Sequence, residues 1–351
     1  MHTRPHLAVE RGKVCYWPMR SDSLMLKSLP VLAAMSMIAA AAHAAPASTS
    51  SVQAYPERPL RFVVAFGPGG TVDVVARLFA QRLSVNMGQQ VVVDNRPGAG
   101  GNLSAEIAAK SAPDGYTLYI CAPSLVVNVT LYSKVAYDPL RDFAPVTLLA
   151  SSQNVLVAYP GFAAKSVKEL IALARAKPGH IVYATSGSGT SGHLLMEMLR
   201  TQAGIDMLHV PYKTIGQTTA DIISGQVSLW FPTIGGTLPH IQSGRLRALA
   251  VSGAKRSPAL PDVSTVAENA LPGFEATTWY PILTPAGVPR DIIIRLNTEF
   301  LKVLRTREVQ ERLNALAIES IGTTPEQLAA HLRSELPKWA RIVKASGARA
   351  D

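Results

Sequence analysis

The sequence predicts an α/β protein made of two similar halves that face each other across a cleft. Two stretches carry this reading: Phe66-Gly67-Pro68-Gly69-Gly70-Thr71-Val72-Asp73 and Thr185-Ser186-Gly187-Ser188-Gly189-Thr190-Ser191-Gly192-His193. Each follows a short apolar run that reads as a buried strand, and each precedes a helical pattern. Small residues in such turns let a ligand approach the backbone. The N–H groups of a helix's first turn favour a carboxylate or phosphate placed there.

The elements follow in order. Strands over 60–66, 91–95 and 117–122 alternate with helices over 72–87 and 103–111, and consecutive apolar residues separated by helices imply a mostly parallel sheet covered on both faces. The alternation resumes with strands over 154–159, 181–185, 207–210, 227–231 and 246–252 and helices over 167–176, 191–203 and 218–224, which implies a second sheet. After Trp279 the pattern changes to Pro-rich turns at Pro281, Pro285 and Pro289, then to amphipathic helices over 291–304, 308–316 and 325–345. Too little strand remains for a third domain, so this tail is expected to return to the first. The expected lobes are residues 55–152 with 279–351, and residues 153–278. Two chain passages, near 151–154 and 277–280, would then form a hinge. Trp279, beside the second passage, reads as a reporter of closure or as core.

Ahead of these lobes, residues 1–44 read as a leader. Arg20 and Lys27 precede an apolar run over 29–42 that Pro30 interrupts, and Ala42-His43-Ala44 fits export with cleavage near Ala44, giving a signal peptide over about 20–44. Residues 1–18 fit neither leader nor domain and read as a misassigned start, Met19 or Met25 being more ordinary. Cleavage leaves 307 residues, ample for two cores, with 29 basic against 22 acidic side chains. These charges lie scattered on helical faces, as at Lys302, Arg305, Arg307 and Arg312, without interleaved aromatics. Nucleic-acid binding is therefore not expected. No Cys follows the cleavage site to carry a lipid. Cys121 alone makes no intrachain disulfide and no multi-cysteine metal site, and reads as core.

The first glycine turn is no P-loop, since no Gly-Lys-Ser/Thr closes it, and it lacks the order of a dinucleotide turn. Ser186, Ser188, Thr190 and Ser191 offer hydroxyls, but no Gly-x-Ser-x-Gly elbow and no acid–histidine pair accompanies them, so no catalytic residue is assigned. His43, His180, His193, His209, His240 and His331 lack paired spacing and neighbouring Cys; no metal and no cofactor is expected. Asp73 opens a helix, where a structural role competes with a ligand role. His193, in the first turn after its loop, reads as a packing residue or a ligand contact. Arg96-Pro97-Gly98-Ala99-Gly100-Gly101-Asn102 is a further Gly-rich turn with the same possible anion role, read foremost as shaping the crossover into the next helix. Gly69, Gly70, Ser188 and Gly189 sit where N–H groups are expected to be unpaired, which favours holding a carboxylate by main-chain donors, hydroxyls and water rather than by an Arg clamp.

The sequence resembles the periplasmic substrate-binding proteins of tripartite tricarboxylate transporters, the Bug family. The marks are Tyr55-Pro56-x-x-Pro59, Pro68-Gly69-Gly70-x-x-Asp73-x-x-Ala76-Arg77, Asn95 through Gly101, Pro113-Asp114-Gly115-Tyr116-Thr117-Leu118, Tyr183-Ala184-x-Ser186-Gly187-x-Gly189-x-x-x-His193, Val210-Pro211-Tyr212-Lys213 and Leu249-Ala250-Val251. In this order the set is highly specific and runs through the whole mature chain. The resemblance implies a two-lobed Venus-flytrap receptor of the type II-like periplasmic binding protein build, a non-enzymatic monomer of the periplasm that captures a small carboxylate-bearing solute and delivers it to membrane transporter subunits. A sensing role with a membrane kinase is the alternative, and an α/β hydrolase-like enzyme a remoter one. Carried over, the resemblance selects Phe66, Pro68, Gly69, Gly70 and Asp73 from one lobe and Ser186, Gly187, Ser188, Gly189, Thr190 and His193 from the other. Pro123, Ser124, Asn128, Tyr212 and Thr233 form a second rank. The chain departs from the family's pattern at Thr214, where Gly is usual, and at Ser228, where an acid is common, so the ligand's distal pocket is its own.

Overall fold

Strand β1 (Leu60–Val64) shows at once how the first sheet is covered, because its alternate residues join different cores. Leu60, Phe62 and Val64 pack with one set of helices while Val63 packs on the opposite face, as a strand sandwiched between two layers requires. The computed structural model describes residues 55–350; the expected leader lies outside them.

After β1 come α1 (Thr71–Met87), β2 (Val91–Asn95), a 3₁₀ turn at Ala99–Gly101, α2 (Asn102–Ala109), β3 (Thr117–Ile120), α3 (Ser124–Leu131) and β4 (Phe143–Ser152). The chain then runs through β5 (Val155–Ala158), α4 (Val167–Ala176), β6 (Val182–Thr185), α5 (Ser191–Ala203), β7 (Leu208–Pro211), α6 (Ile215–Ile223), β8 (Leu229–Trp230), α7 (Ile234–Gln242), β9 (Arg247–Val251) and α8 (Val266–Asn269). It closes with β10 (Thr278–Pro285), α9 (Arg290–Leu304), α10 (Arg307–Ala315), β11 (Ile318–Ser320) and α11 (Pro325–Ser346).

Two sheets result, ordered β11-β4-β10-β3-β1-β2 and β7-β6-β8-β5-β9. Each is mixed, which corrects the expectation of mostly parallel strands. Only β2-β1-β3 and β7-β6-β8 run parallel, while β10 and β4 enter the first sheet antiparallel. β10 replaces the Pro-rich turns expected after Trp279. Its pairing with β4 shifts register at Tyr280/Pro281 and at Ile282/Leu283, where Leu283 lies opposite Pro145. Proline lacks the ladder's N–H, and a break in register is where a strand tolerates it.

The packing of α1 and α9 on the first sheet is aromatic at its centre. Phe300 lies 6.1 Å from Phe62 and 6.0 Å from Phe79, centroid to centroid. Burying each such side chain stabilises by roughly 1.5–3 kcal/mol. Cys121 is free and fully buried, as its strand-end position implies. Among the described residues no helix is long and apolar enough to cross a membrane.

The chain passes between the sheets at two neighbouring places. Ser152 stands opposite Thr278 in the β4–β10 ladder, and Asn154 joins both passages through Oδ1, which accepts from Thr278 Oγ1 at 2.8 Å, and Nδ2, which donates to the Phe231 carbonyl at 2.9 Å. A third element also reaches across. α11 packs on α3 and β4, and also on α5 of the second sheet, where Arg200 Nη2 donates to the Ser346 carbonyl at 2.9 Å.

Candidate functional site

The loop between β1 and α1 is shaped by a carboxylate. Gly69 takes φ +84°, a left-handed conformation that a side chain would strain, and its N–H donates to Asp73 Oδ2 at 2.9 Å. Asp73, 3% exposed, also accepts from Arg77 Nε at 3.0 Å and Asn95 Nδ2 at 2.9 Å, and that same amide donates to the Phe66 carbonyl at 2.9 Å. Burial alone would raise the Asp73 pKa; the hydrogen bonds from Arg77, Gly69 and Asn95 outweigh it and hold the carboxyl below its usual range. Asp73 thus braces the loop with every contact directed at protein groups.

The loop between β6 and α5 repeats the device with another residue. Gly187 and Gly189 have φ +115° and +80°, and the Gly189 N–H donates to His193 Nδ1 at 3.3 Å. Thr190 Oγ1 donates to the Gly187 carbonyl at 2.8 Å, and the Gly187 N–H reaches Thr185 Oγ1 at 3.3 Å. The expectation that Gly69 and Gly189 present unpaired N–H groups is therefore corrected, because each glycine is bonded to the third residue of the following helix. Among the described hydrogen bonds none takes the N–H of Gly70 or Ser188, which remain as donors. Phe66 and Ser186 are part-buried at the loop starts, and Pro68 is exposed at the tip of the first.

Residues of the two sheets meet around these loops. Thr71, the first residue of α1, lies hydroxyl to hydroxyl with Thr233, the N-cap of α7, at 3.1 Å. A Cβ on Gly70 would come within 3.9 Å of Ile215 Cδ1, on α6. A Cβ on Gly189 would sit 2.7 Å from Asn128 Oδ1 and 3.0 Å from Leu131 Cδ2, so only glycine lets this loop lie against α3. Asn128 is 1% exposed; its Nδ2 donates to the Gly100 carbonyl at 3.1 Å and to Asn102 Oδ1 at 2.8 Å, while Oδ1 has no protein partner. Ser124 is buried beside Gly101, and Pro123 caps α3. The second-rank residues Ser124 and Asn128 thus both lie on α3.

Tyr212 stands apart in its chemistry. Its hydroxyl donates to Asp221 Oδ2 at 2.7 Å, and burial, then Asp221, pushes its pKa up to about 12. Its main chain follows the loop more closely: the Tyr212 N–H bonds the Thr185 carbonyl at 2.9 Å.

Sequence reasoning missed Thr71, Ile215 and His209. Gly100 lies against the Ser188 carbonyl, 3.1 Å from where its Cβ would be, so the Gly98–Gly101 turn meets the facing loop besides shaping a crossover. The signal was there in the glycine run, since residues 98–101 all have positive φ. Asp73, His193 and Tyr212 are the ionisable members of the expected set, and each is engaged by a protein group. The first turns of α1 and α5 and the N-cap of α7 therefore offer main-chain donors and hydroxyls, an arrangement suited to a small anion.

Two mixed sheets, joined by paired passages and facing each other through strand-to-helix loops, define a two-lobed solute-binding fold of the periplasmic binding protein type. The chain belongs to the tripartite tricarboxylate transporter receptor family, TctC, whose sequence profile matches residues 75–348. It is 38% identical over 316 residues to Protein BugT of Bordetella pertussis, covering 89% of this chain and 95% of BugT. Among solved structures it is similar to R. palustris Rpa4515 with adipate, at TM-score 0.79 and 36% identity over 84% of this chain and 98% of that one. MatC of Rhodopseudomonas palustris with bound malate gives TM-score 0.77 and 30% identity, over 82% and 100%.

Proposed function

We propose that this chain is a periplasmic receptor that captures a small carboxylate-bearing solute between two lobes and presents it to the membrane subunits of a tripartite tricarboxylate-type transporter. The lobes are residues 55–152 with 279–351, and residues 153–278, closing on ligand about the passages at Ser152 and Thr278. The receptor acts as a monomer after cleavage near Ala44, and it catalyses nothing.

One observation carries the reading: α1 and α7 meet hydroxyl to hydroxyl at Thr71 and Thr233, 3.1 Å apart, and the expected ligand residues, Ser188 before α5 among them, include no cationic side chain. Burying a carboxylate without partners costs several kcal/mol. Hydrogen bonds to a charged acceptor, each contributing roughly 1.5–3 kcal/mol, offset that cost. Ile215 beside Gly70 supplies an apolar wall suited to methylene groups. The adipate and malate bound to Rpa4515 and MatC support the same ligand class. A non-enzymatic role is supported by the loop's chemistry: His193 Nδ1 accepts the Gly189 N–H, which places the neutral ring's proton on Nε2 and leaves no free basic nitrogen to activate a serine.

The test is native mass spectrometry of the protein as purified from the periplasm. A retained small acid, released on denaturation in one copy per monomer, is expected. Retention of a cationic or carboxyl-free solute would overturn the ligand class, and conversion of the released compound by the protein would overturn the non-enzymatic role.

A further inference from the structure

We propose that the stacked imidazoles of His193 and His209 position the loop Ser186–Thr190 and that the loop keeps its shape only while both rings are neutral. The value of this to the receptor rests on the reading of that loop as a ligand site.

His193 turns back under the loop from the first turn of α5 and is 4% exposed. Its ring stacks on His209 of β7, centroids 4.4 Å apart at 25°. The other face of His209 stacks on Tyr183 of β6, at 5.0 Å and 15°. His209 Nε2 lies 2.7 Å from Thr185 Oγ1, the atom that accepts the Gly187 N–H, while His193 Nδ1 accepts the Gly189 N–H at 3.3 Å. The two left-handed glycines of the loop are therefore both anchored to this ring pair. Between them stands Ser188, whose N–H takes no part in the described hydrogen bonds.

Protonation breaks the arrangement for a geometric reason. An Nδ1 that accepts a hydrogen bond carries no proton, and protonating it sets an N–H against the Gly189 N–H. Two rings at stacking distance also resist becoming charged together. The charged and titratable groups around them are few. On α5, Glu197 lies one turn beyond His193 and is held by Arg200 Nη2 at 2.8 Å and by the Tyr183 hydroxyl at 2.5 Å. Arg200 in turn reaches Asp206, at 4.0 Å, after α5. Facing Gly189 from α3 are the uncharged Asn128 and Leu131. Burial lowers the pKa of both rings; Glu197 counteracts it at each, Arg200 adds to it at His193, and His209 falls to about 4.

The test is a pH titration of ligand-free, ¹⁵N-labelled protein by NMR, following the Gly187 and Gly189 amides beside the imidazole signals. In the wild type both amides should shift in step with the rings, on the acid side of the ordinary histidine value of about 6.5. His193→Gln should abolish the Gly189 transition. His209→Gln should abolish the Gly187 transition, as should His209→Phe, which keeps a stacking ring should the glutamine fail to fold. A second arm measures malate affinity, which should fall at least about fivefold more across this range in the wild type than in His193→Gln. Amides that stay fixed while the rings titrate would overturn the proposal, as would malate binding that tightens as the rings charge. Absence of malate binding at pH 7 in every form would count against the ligand reading alone, because the amide titration needs no ligand.

Discussion

Asp73 and His193 are counterparts. Each is the third residue of its helix, and each accepts the N–H of the glycine four positions earlier, Gly69 at 2.9 Å and Gly189 at 3.3 Å. An acceptor at the third helical position normally satisfies a donor at the helix start. Here it also fixes a left-handed glycine in front of the cap. The two glycine loops are thus held by the same bond, made once by a carboxylate and once by an imidazole.

Asp73→Ala should destabilise the protein by about 3 kcal/mol, since it strands the Gly69 N–H, the Arg77 guanidinium and the Asn95 amide. Urea denaturation measures this. The sign with pH follows from the lowered carboxyl pKa: the contribution is complete above the unfolded value of 3.8 and is lost as pH falls through the folded one. Wild-type stability should therefore drop more steeply below pH 3.8 than that of Asp73→Asn. Parallel slopes would mean that Asp73 is not ionised in its bonds.

His193 gives the opposite kind of acid limb. The fold favours the neutral ring, so the unfolded chain takes up a proton first, near 6.5, and stability falls as pH drops below that value. Denaturation midpoints of the wild type should decline from pH 7 to 5 while His193→Gln changes less. Equal declines would place the acid sensitivity elsewhere.

The strand-to-helix loops of the candidate site are legible in the chain because glycine and hydroxyl clusters after apolar strands leave few alternatives for Phe66–Asp73 and Ser186–His193. The pairing within those loops could not. Whether the Gly69 N–H is free depends on how Asp73, Arg77 and Asn95 meet, and Asn95 comes from the next strand. β4 and β10 were hidden for another reason. Pro281 reads as a turn, and only the register shifts of the assembled ladder show how long strands accommodate it and Pro145.

Glu335 is the point where α11 is fastened to the first sheet. Its Oε2 accepts from Trp279 Nε1 at 3.1 Å and from Trp339 Nε1 at 2.7 Å. Glu335→Leu leaves two buried indole N–H groups unpaired and should cost about 2–4 kcal/mol, with Glu335→Gln, whose amide oxygen still accepts, recovering much of the loss, as thermal denaturation would show. Trp279 is core at this contact, edge-on to His331 at 5.0 Å, so its emission should follow the seating of α11. A Leu variant as stable as wild type would show that this contact does not fasten the helix.

Thr71 and Thr233 test the contact between sheets. Thr233→Val keeps the shape and removes the hydroxyl, a bond contributing about 1 kcal/mol. Affinity for adipate or malate should fall by less than about tenfold, with the urea midpoint nearly unchanged. A loss beyond a hundredfold would make Thr233 a direct ligand contact.

The central claim is that ligand is held against the backbone at Gly70 and Ser188, and calorimetric titration of Gly70→Leu tests it most directly. Gly70 has φ −75° and ψ 162°, which leucine adopts without strain, and its Cβ would meet only the Gly67 carbonyl at 3.6 Å and Ile215 at 3.9 Å. The variant should fold, by circular dichroism, while its side chain fills the space in front of the free N–H groups. With adipate and malate as probes, binding should weaken at least a hundredfold, about 2.7 kcal/mol, whereas Ser188→Ala should weaken it less than tenfold. A folded Gly70→Leu protein that binds as tightly as the wild type would contradict the account.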